Sequence, residues 1–493
     1  MADSVPFHND KKTCWSCPAV EFKGHVDFRA CGQAAFRKAA SGQLVVECKR
    51  RTDIGYFDPM GITYDSCPEY KETEYGRLLH GMKVMILGID GYLGWPLALK
   101  LASLGCQVSG IDNLLRRRLV DEKGGQSVLP VSSVYDRIKA AKEHLGVTIN
   151  FREIDLLDRE AFLKYIDEIR PESIIHYAEI LSASYSMVDT DRAVKTIHNN
   201  VIGTLELVFA ARDYAPEASI IKLGTMGEYG SPLTGRPLFE GLFPGDAVLQ
   251  YGGEEWSLGG ELTPRDPVSF YHVSKVQGTF TIYEACKYWW LRSYDVMQGV
   301  IYGLNTPELE VHPSLNTRFD IDEWWGTVVN RFVAQAVIGM PMTMYGNGNQ
   351  IRGYITLADA MQCMVRMIAN PPEPGQYEVV NQVTDLFSVR HIADTVARIG
   401  KNEFGLDPVI QRLENPRVEA EDHPYEVIHK KLEEKFQFAS GSNFEDEVRY
   451  MFNRLMKPDI RERIEAQKKT LVPITRWSGE TKPLAVLETI IPG

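Results

Sequence analysis

A glycine-rich turn between an apolar run and an amphipathic segment constrains the fold of this chain most strongly. Met82–Leu87 is a continuous apolar run of the kind found in buried parallel strands, and Trp95–Leu104 has helical spacing. Glycines between them permit a tight turn and a close approach of the backbone to a pyrophosphate at the N-terminus of the helix. The segment therefore predicts a dinucleotide-binding turn that contacts its cofactor through Gly88, Gly91, Tyr92, Leu93 and Gly94.

The alternation of strand and helix patterns continues along the chain. Helical spacing at Arg159–Ile169 and Ala193–Tyr214 separates further apolar runs, and this order predicts an α/β fold with a doubly wound parallel (Rossmann) sheet. A helix over Asp359–Ala369 and a strand over Gln376–Asn381 are also predicted. The predicted strands of the sheet are Lys83–Leu87, Gln107–Ile111, Ile149–Ile154, Ser173–His176, Ser219–Leu223 and Tyr294–Gly299.

Regular alternation weakens after Tyr302, where aromatic residues, proline and glycine become frequent. We therefore expect three parts: a Cys-rich N-terminal module over residues 1–80, a dinucleotide-binding Rossmann domain over 81–304, and a smaller substrate-binding domain over 305–493. Part of 350–385 is expected to return to the Rossmann domain.

The net charge of −12 argues against a nucleic-acid or anionic-membrane partner. No segment reaches the roughly 18 consecutive apolar residues of a membrane helix, and Met1–Lys12 lacks the apolar stretch of a signal peptide. We therefore expect a cytoplasmic location with reduced thiols.

Five of the eight cysteines lie in the first 70 residues. Cys14 and Cys17 have the two-residue gap of a zinc knuckle, which Cys31, Cys48, Cys67 or His25 can complete. The alternative is a set of reduced structural thiols, since no second C-x-x-C is present. The predicted zinc ligands are Cys14, Cys17, Cys31 and Cys48.

The second apolar run ends in an acidic residue, Asp112, 24 residues after Gly88. A carboxylate there accepts hydrogen bonds from the adenosine ribose and repels a 2′-phosphate, which favours NAD over NADP. Arg116, Arg117 and Arg118 follow, and either bind a phosphate or form the solvated start of a helix.

The segment Tyr271-His272-Val273-Ser274-Lys275 carries the predicted redox acid–base chemistry. Spacing of one helical turn places the phenol and the ammonium on one face, where the cation lowers the pKa of the tyrosine toward that of a general base. The tyrosine is expected to take the proton from a substrate hydroxyl. Thr225, after the strand Ser219–Leu223, supplies a hydroxyl that hydrogen-bonds the same substrate oxygen. The alternative is an exposed helix pair without a catalytic role. A binding module that only holds NAD would not need all three groups.

These residues have the arrangement of the extended short-chain dehydrogenase/reductase family, which comprises the NAD-dependent sugar-nucleotide epimerases and dehydratases. Within it, the chain resembles the UDP-sulfoquinovose synthases over about residues 82–440. The resembling segments are His176–Ala178, Tyr185–Met187, His198–Leu205, Lys222–Gly230, Ser269–Lys275, Gln298–Gly303, Tyr345–Tyr354 and Asn415–Glu421.

The resemblance implies that tightly bound NAD takes a hydride from C4 of UDP-glucose or a related nucleotide sugar. The 4-keto sugar then loses the 6-hydroxyl, sulfite adds at C6, and the hydride returns to C4. It also implies a homodimer. The alternative is a 4-epimerase or dehydratase that does not use sulfite. Ile180 and Leu181 favour it, since they replace a glutamine and an arginine of the synthase pattern, and arginine is a natural anchor for an anionic nucleophile.

Ordinary 4,6-dehydratases follow the strand-end threonine with an Asp–Glu pair, where this chain has Met226 and Gly227. The nearby groups that match the synthase pattern and can move protons are Glu228 and His272; a structural role for the histidine is the alternative. The expected catalytic residues are Thr225, Tyr271, Lys275, Glu228 and His272. The expected cofactor residues beyond the glycine turn are Asp112, Asn113, Arg116, Asp155, Leu156, Tyr177, Asn200, Tyr271, Lys275 and Gln298. The expected substrate residues are Met226, Gln298, Asn330, Arg331, Tyr345, Arg352, Arg417 and Glu419.

Overall fold

The computed structural model describes residues 34–38, 44–48, 56–57, 70–230, 235–417, 425–477 and 483–492, with side chains from residue 75 onward. The chain forms two compact units, one of residues 1–82 with 101–107 and one of residues 83–100 with 108–493.

The first unit contains a short antiparallel sheet of β1 (Ala34–Lys38), β2 (Leu44–Cys48) and β3 (Tyr56–Phe57), followed by helix α1 (Tyr70–Leu79). Of the predicted zinc ligands, Cys14, Cys17 and Cys31 lie outside the described residues, and only the backbone of Cys48 is described. In the described part of the chain, no group of three or more His, Cys, Asp or Glu side chains is arranged to hold a metal ion. The Cys-rich module and its zinc therefore stay predictions.

The second unit is built on alternating strands and helices. Its first part comprises β4 (Lys83–Leu87), α2 (Gly94–Ser103), β5 (Gln107–Asp112), α3 (Leu115–Glu122), α4 (Val134–Leu145), β6 (Ile149–Glu153), α5 (Arg159–Ile169), β7 (Ser173–His176), α6 (Ala183–Ser186), α7 (Thr190–Ile197), α8 (Gly203–Tyr214), β8 (Ser219–Leu223), β9 (Val248–Tyr251), β10 (Glu254–Ser257), α9 (Phe270–Trp289), β11 (Arg292–Gln298) and β12 (Val300–Tyr302).

The remaining elements follow in the C-terminal part of the chain. They are α10 (Pro307–Glu310), α11 (Val328–Val337), β13 (Met342–Tyr345), β14 (Ile351–Thr356), α12 (Leu357–Ala369), β15 (Tyr377–Gln382), β16 (Asp385–Ser388), α13 (Val389–Phe404), β17 (Ile410–Leu413), α14 (Lys430–Glu434), α15 (Phe444–Leu455), α16 (Pro458–Ala466) and β18 (Val486–Ile490).

Seven of the strands form a parallel sheet in the order β15-β11-β8-β7-β4-β5-β6. The chain starts at β4, builds β5 and β6 on one side, and then crosses to β7 on the other. Such a reversal opens a crevice at the carboxyl ends of the strands, where ligands bind in doubly wound folds. The predicted Rossmann sheet is confirmed, and β15 is one of its edge strands.

The predicted helix over Ala193–Tyr214 is interrupted. A π-helical turn, His198–Ile202, separates α7 from α8 and contains the buried side chain of Asn200. Asn200 Oδ1 accepts from the amide of Ile180 at 2.7 Å, and Nδ2 donates to the Ile180 carbonyl at 3.1 Å. A wide turn of this type inserts a residue into a helix, which is common at functional sites and leaves no mark in hydrophobic spacing.

Two large hydrophobic cores stabilise the described part of the second unit, beside a small cluster around Ile180 and Trp325. One packs around the parallel sheet and includes Leu87, Ile174 and Ile220, while the other packs α11 and α13 with α15. Two smaller sheets, β12-β14-β16 and β13-β17-β18, accompany them. The boundary at residue 304 stays a prediction. None of the described helices has the length and apolar character needed to cross a bilayer.

Candidate active site

One cavity of about 490 Å³ lies at the carboxyl ends of β4, β5, β7, β8 and β11. Its volume is typical of small-molecule sites. Three predicted site residues, Asn200, Glu228 and Lys275, do not line it, and Glu419 is outside the described residues. The predicted residues that line the cavity are Gly88, Gly91, Tyr92, Leu93, Gly94, Asp112, Asn113, Arg116, Asp155, Leu156, Tyr177, Thr225, Met226, Tyr271, His272, Gln298, Asn330, Arg331, Tyr345, Arg352 and Arg417.

The turn after β4 has no room for a side chain at Gly88 or at Gly94. Gly88 has a φ of +89°, and a Cβ there would lie 2.7 Å from the carbonyl carbon of Tyr177. A Cβ on Gly94, where α2 begins, would lie 2.2 Å from the Gly88 carbonyl oxygen. The backbone thus passes close to the cavity and leads into a helix N-terminus, which fits the pyrophosphate of a dinucleotide.

Asp112 at the end of β5 is held by the neighbouring backbone. Its carboxylate accepts from the amide of Asp90 at 2.9 Å and from that of Leu114 at 2.7 Å. Burial, reinforced by the charge of Asp90, raises the pKa of Asp112 to about 6. Asn113 Nδ2 donates to Asp155 Oδ2 at 2.9 Å, which fixes two further cavity-lining residues.

The three consecutive arginines have three different environments. Arg117 donates to both carboxylate oxygens of Asp90, at 2.8 and 2.7 Å, and Arg118 donates to the Asn113 carbonyl at 2.8 Å. Arg116 alone of the three lines the cavity, with its guanidinium 3.9 Å from the ring centroid of Trp325. A simple solvated start of a helix does not describe this segment.

Tyr271 and Lys275 are both buried, which excludes an exposed helix pair. Helix α9 begins at Phe270, and the Ser269 hydroxyl caps it by accepting from the His272 amide at 3.3 Å. Thr225 and Tyr271 both line the cavity, and the side chain of Thr225 is one of the groups that lower the pKa of Tyr271. The predicted phenol and threonine are therefore brought together at the end of β8.

The pKa of Tyr271 differs from the prediction. Burial raises it, and the carboxylates of Glu179 and Glu228 add to the rise. The ammonium of Lys275, which forms a buried ion pair with Glu179, lies 5.8 Å from the ring centroid of Tyr271. The net direction of the shift is opposite to the predicted one, and the lowering by the lysine stays a prediction.

Glu228 does not reach the cavity. Its Oε1 accepts from the amide of Thr225 at 3.3 Å in a capping box, and its Oε2 accepts from the Thr279 hydroxyl at 2.9 Å. Lys222 Nζ lies 3.6 Å from Glu228 and 3.2 Å from Asp295, with all three side chains fully buried. The expected proton-transfer role for Glu228 is corrected: its carboxylate fixes the loop that carries Thr225.

His272 lines the cavity and packs on Gly227. A Cβ at residue 227 would lie 2.3 Å from the imidazole Nε2. The other ring nitrogen, Nδ1, lies 3.0 Å from the Ser269 hydroxyl. Burial lowers the pKa of His272 to about 3, and the charges of Arg417 and Arg352 reinforce the shift. The imidazole is therefore neutral at ordinary pH.

A cationic and aromatic wall completes the cavity in the C-terminal part of the chain. Arg331 and Arg417 each place a guanidinium 5.8 Å from the ring centroid of Tyr345. Among the described residues, the buried Nε of Arg331 and hydroxyl of Thr327 have no hydrogen-bond partner. Cations and unpaired donors in a cavity are suited to an anionic ligand that accepts hydrogen bonds.

Sequence patterns missed three residues of this region. Glu179 lies just after the carboxyl end of β7, a position that alone could have drawn attention to it. Trp324 and Trp325 line the cavity, and Trp325 stacks on Tyr185 with a centroid distance of 5.4 Å. Ile180 packs in an apolar cluster with Tyr185 and Trp325, and both Ile180 and Leu181 line the cavity.

Residues 84–381 match the model of the NAD-dependent epimerase/dehydratase family. The chain belongs to this family. A UDP-sulfoquinovose synthase of Sulfolobus acidocaldarius is 40% identical over 396 residues, which cover 80% of this chain and 98% of that protein. The chloroplastic UDP-sulfoquinovose synthase of Spinacia oleracea is 40% identical over 352 residues, 71% of each chain.

Solved structures of the family have the same fold. The NAD complex of UDP-glucose 4-epimerase from Thermus thermophilus has a TM-score of 0.54 at 19% identity, and covers 76% of this chain and 100% of that chain. The corresponding enzyme from Bifidobacterium longum, with NAD and UDP, has a TM-score of 0.56 at 17% identity over 77% and 99%. The prediction of an NAD-dependent, sugar-nucleotide-modifying enzyme that resembles UDP-sulfoquinovose synthase is confirmed.

Proposed function

We propose that this enzyme acts on UDP-glucose by oxidation at C4, loss of the 6-hydroxyl, addition of a nucleophile at C6 and reduction at C4. The observation that carries the proposal is that Thr225 and Tyr271 line the same cavity as the Gly88–Gly94 turn. The full-length relatedness to a UDP-sulfoquinovose synthase supports the same reaction.

The protein's own groups divide the work at C4. Thr225 holds the sugar oxygen by a hydrogen bond, and Tyr271 takes the hydroxyl proton during oxidation and returns it to the keto oxygen during reduction. NAD, when bound, accepts and returns the hydride. Lys275 donates to the Leu223 carbonyl at 2.5 Å, which holds its ammonium behind the phenol.

We assign separate parts of the cavity to the NAD cofactor and to the UDP-sugar substrate. On the cofactor side, the ribose is assigned to Asp112 and Asn113, the adenine to Asp155 and Leu156, and Tyr177 lies beside the Gly88 turn. On the substrate side, the cations suit the diphosphate of a UDP-sugar. The substrate residues we propose are Met226, Gln298, Asn330, Arg331, Tyr345, Arg352 and Arg417.

His272 is the proposed partner for protons at C5 and C6. Of the two groups considered from the sequence, it lines the cavity and Glu228 does not. Burial lowers the pKa of His272 to about 3, so in the protein alone its imidazole is neutral and is a weak base.

Sulfite is the nucleophile that the relatedness favours, and the apolar wall around Ile180 and Leu181 favours the second candidate, epimerisation or dehydration without sulfite. The test is incubation of the purified protein with UDP-glucose, with and without sulfite, followed by mass spectrometry of the nucleotide sugar. A sulfonated product that needs sulfite supports the first function. An unchanged mass with a C4 epimer, or loss of water alone, supports the second, and no conversion in either arm refutes both.

A homodimer is proposed through helices α8 and α9. Leu205, Phe209 and Phe280 lie on these packed helices with exposed fractions of 42, 39 and 47%. Large apolar side chains that remain exposed on packed helices are candidates for a protein interface.

A further inference from the structure

The buried ion pair between Lys275 and Glu179 has no assigned role in the chemistry above. Lys275 Nζ donates to Glu179 Oε2 and to the Leu223 carbonyl, and both side chains are fully buried. The other carboxylate oxygen, Glu179 Oε1, has no hydrogen-bond partner among the described residues. A charge buried in this way is costly unless it is paired, so the lysine and the glutamate hold each other.

The position of the pair follows from the sheet. β7 and β8 are neighbours, Glu179 follows the end of β7, and Leu223 is the last residue of β8. Lys275 reaches both strand ends from α9, one helical turn after Tyr271. The ammonium is thus held by two rigid strand ends and cannot follow the phenol freely.

Charged groups face Tyr271 from several elements. The carboxylates of Glu179 after β7 and Glu228 after β8 raise its pKa, while Arg116 on α3 and the side chain of Thr225 lower it. Lys275 and the neutral His272 lie next to it on α9. Without Glu179, the ammonium of Lys275 would be the nearest uncompensated charge.

We propose that Glu179 is a positioning residue that acts through Lys275: it anchors the ammonium at the strand ends and cancels its charge beside Tyr271. The proposal rests on the proposed function of Tyr271 in proton transfer. The consequence is that the phenol keeps its proton more firmly, and the protonated phenol is the form that donates to the C4 keto oxygen when the sugar is reduced. Removing the charge of Glu179 would favour the deprotonated phenol, the form that takes the hydroxyl proton when the sugar is oxidised.

The test is an ultraviolet titration of tyrosinate in the cofactor-free protein, which needs no substrate. The contribution of Tyr271 is obtained by subtracting the titration of Tyr271→Phe. In Glu179→Gln, which keeps the size of the side chain and removes its charge, we expect the midpoint for Tyr271 to fall by about one pH unit or more. Glu179→Asp, which keeps the charge, is expected to remain closer to the wild type.

A second readout is the pH profile of kcat/KM with UDP-glucose. Its basic limb is expected to move in the same direction in Glu179→Gln, with KM for the sugar unchanged. A folded Glu179→Gln protein that titrates like the wild type overturns the proposal, even if the enzyme turns over UDP-glucose. If Glu179→Gln does not fold, Glu179→Ala takes its place under the same criterion, because a smaller side chain lets water solvate Lys275. If the enzyme does not turn over UDP-glucose, the proposed function is refuted, but the tyrosinate titration still tests the role of Glu179 because it needs no substrate.

Discussion

Gly227 and His272 occupy complementary space at the end of β8. A Cβ on Gly227 would lie 2.3 Å from Nε2 and 2.5 Å from Cδ2 of the imidazole, closer than non-bonded atoms approach. The Asp–Glu pair of ordinary 4,6-dehydratases would place a glutamate at this position. The chain therefore cannot hold both that acid–base pair and this histidine, which explains physically why His272 is the candidate for proton transfer beside C5 and C6.

Gly227→Ala is expected to destabilise the protein by about 1–3 kcal/mol, because the new methyl group overlaps the imidazole. Urea unfolding measures the change. Gly245→Ala is the matched control, since a Cβ at that glycine meets nothing within 4 Å. In a His272→Ala background, Gly227→Ala should lower the free energy of unfolding much less. Equal decreases in both backgrounds would contradict the packing of His272 on Gly227.

Tyr271→Phe is expected to lower kcat by about 10²- to 10⁴-fold, the usual contribution of a positioned general acid–base group. The measurement is turnover of UDP-glucose at saturating substrate. Tyr288→Phe is the control on the same helix, because that side chain is 66% exposed. If both variants retain wild-type turnover, Tyr271 is not the group that exchanges the proton at C4.

Hydrophobic pattern predicted the strands and their end residues well, because burial in a parallel sheet requires continuous apolar runs. The runs Lys83–Leu87, Ser173–His176 and Ser219–Leu223 match β4, β7 and β8 residue for residue. Since parallel strands point the same way, residues that follow them meet at one edge. That geometry is why separated motifs such as Gly88, Asp112 and Thr225 line one cavity.

Side-chain partners could not be predicted in the same way. Glu179 cancels the charge of Lys275, and Glu228 caps the turn of Thr225, although both residues are acidic and close in sequence to predicted site residues. Which carboxylate faces a ligand and which pairs with a buried cation depends on rotamers and three-dimensional packing. The direction of the pKa shift of Tyr271 depends on the same contacts. The one-turn spacing of Tyr271 and Lys275 on a helix gives no information about them.

The affinity for NAD is expected to weaken as the pH falls through about 6. Burial raises the pKa of Asp112 to about 6, so its carboxylate gains a proton near that pH and loses an acceptor for ribose hydroxyls. Binding to the ionised form implies about a tenfold loss per pH unit below the midpoint. Calorimetric titration of NAD between pH 5 and 8 checks this. Asp112→Asn should bind more weakly with a flatter profile, and an unchanged slope in that variant would assign the pH dependence to another group.

Phe280→Glu is expected to shift the protein from dimer to monomer. The phenyl ring is 47% exposed on α9, a helix that packs on α8, and a carboxylate there would have to lose water in a helix-to-helix interface. Size-exclusion chromatography with light scattering gives the mass of each variant. Tyr251→Glu is the control, since Tyr251 is an exposed aromatic residue on the β9–β10 hairpin rather than on these helices. A wild-type monomer refutes the dimer directly, and a dimer in both variants places the interface elsewhere.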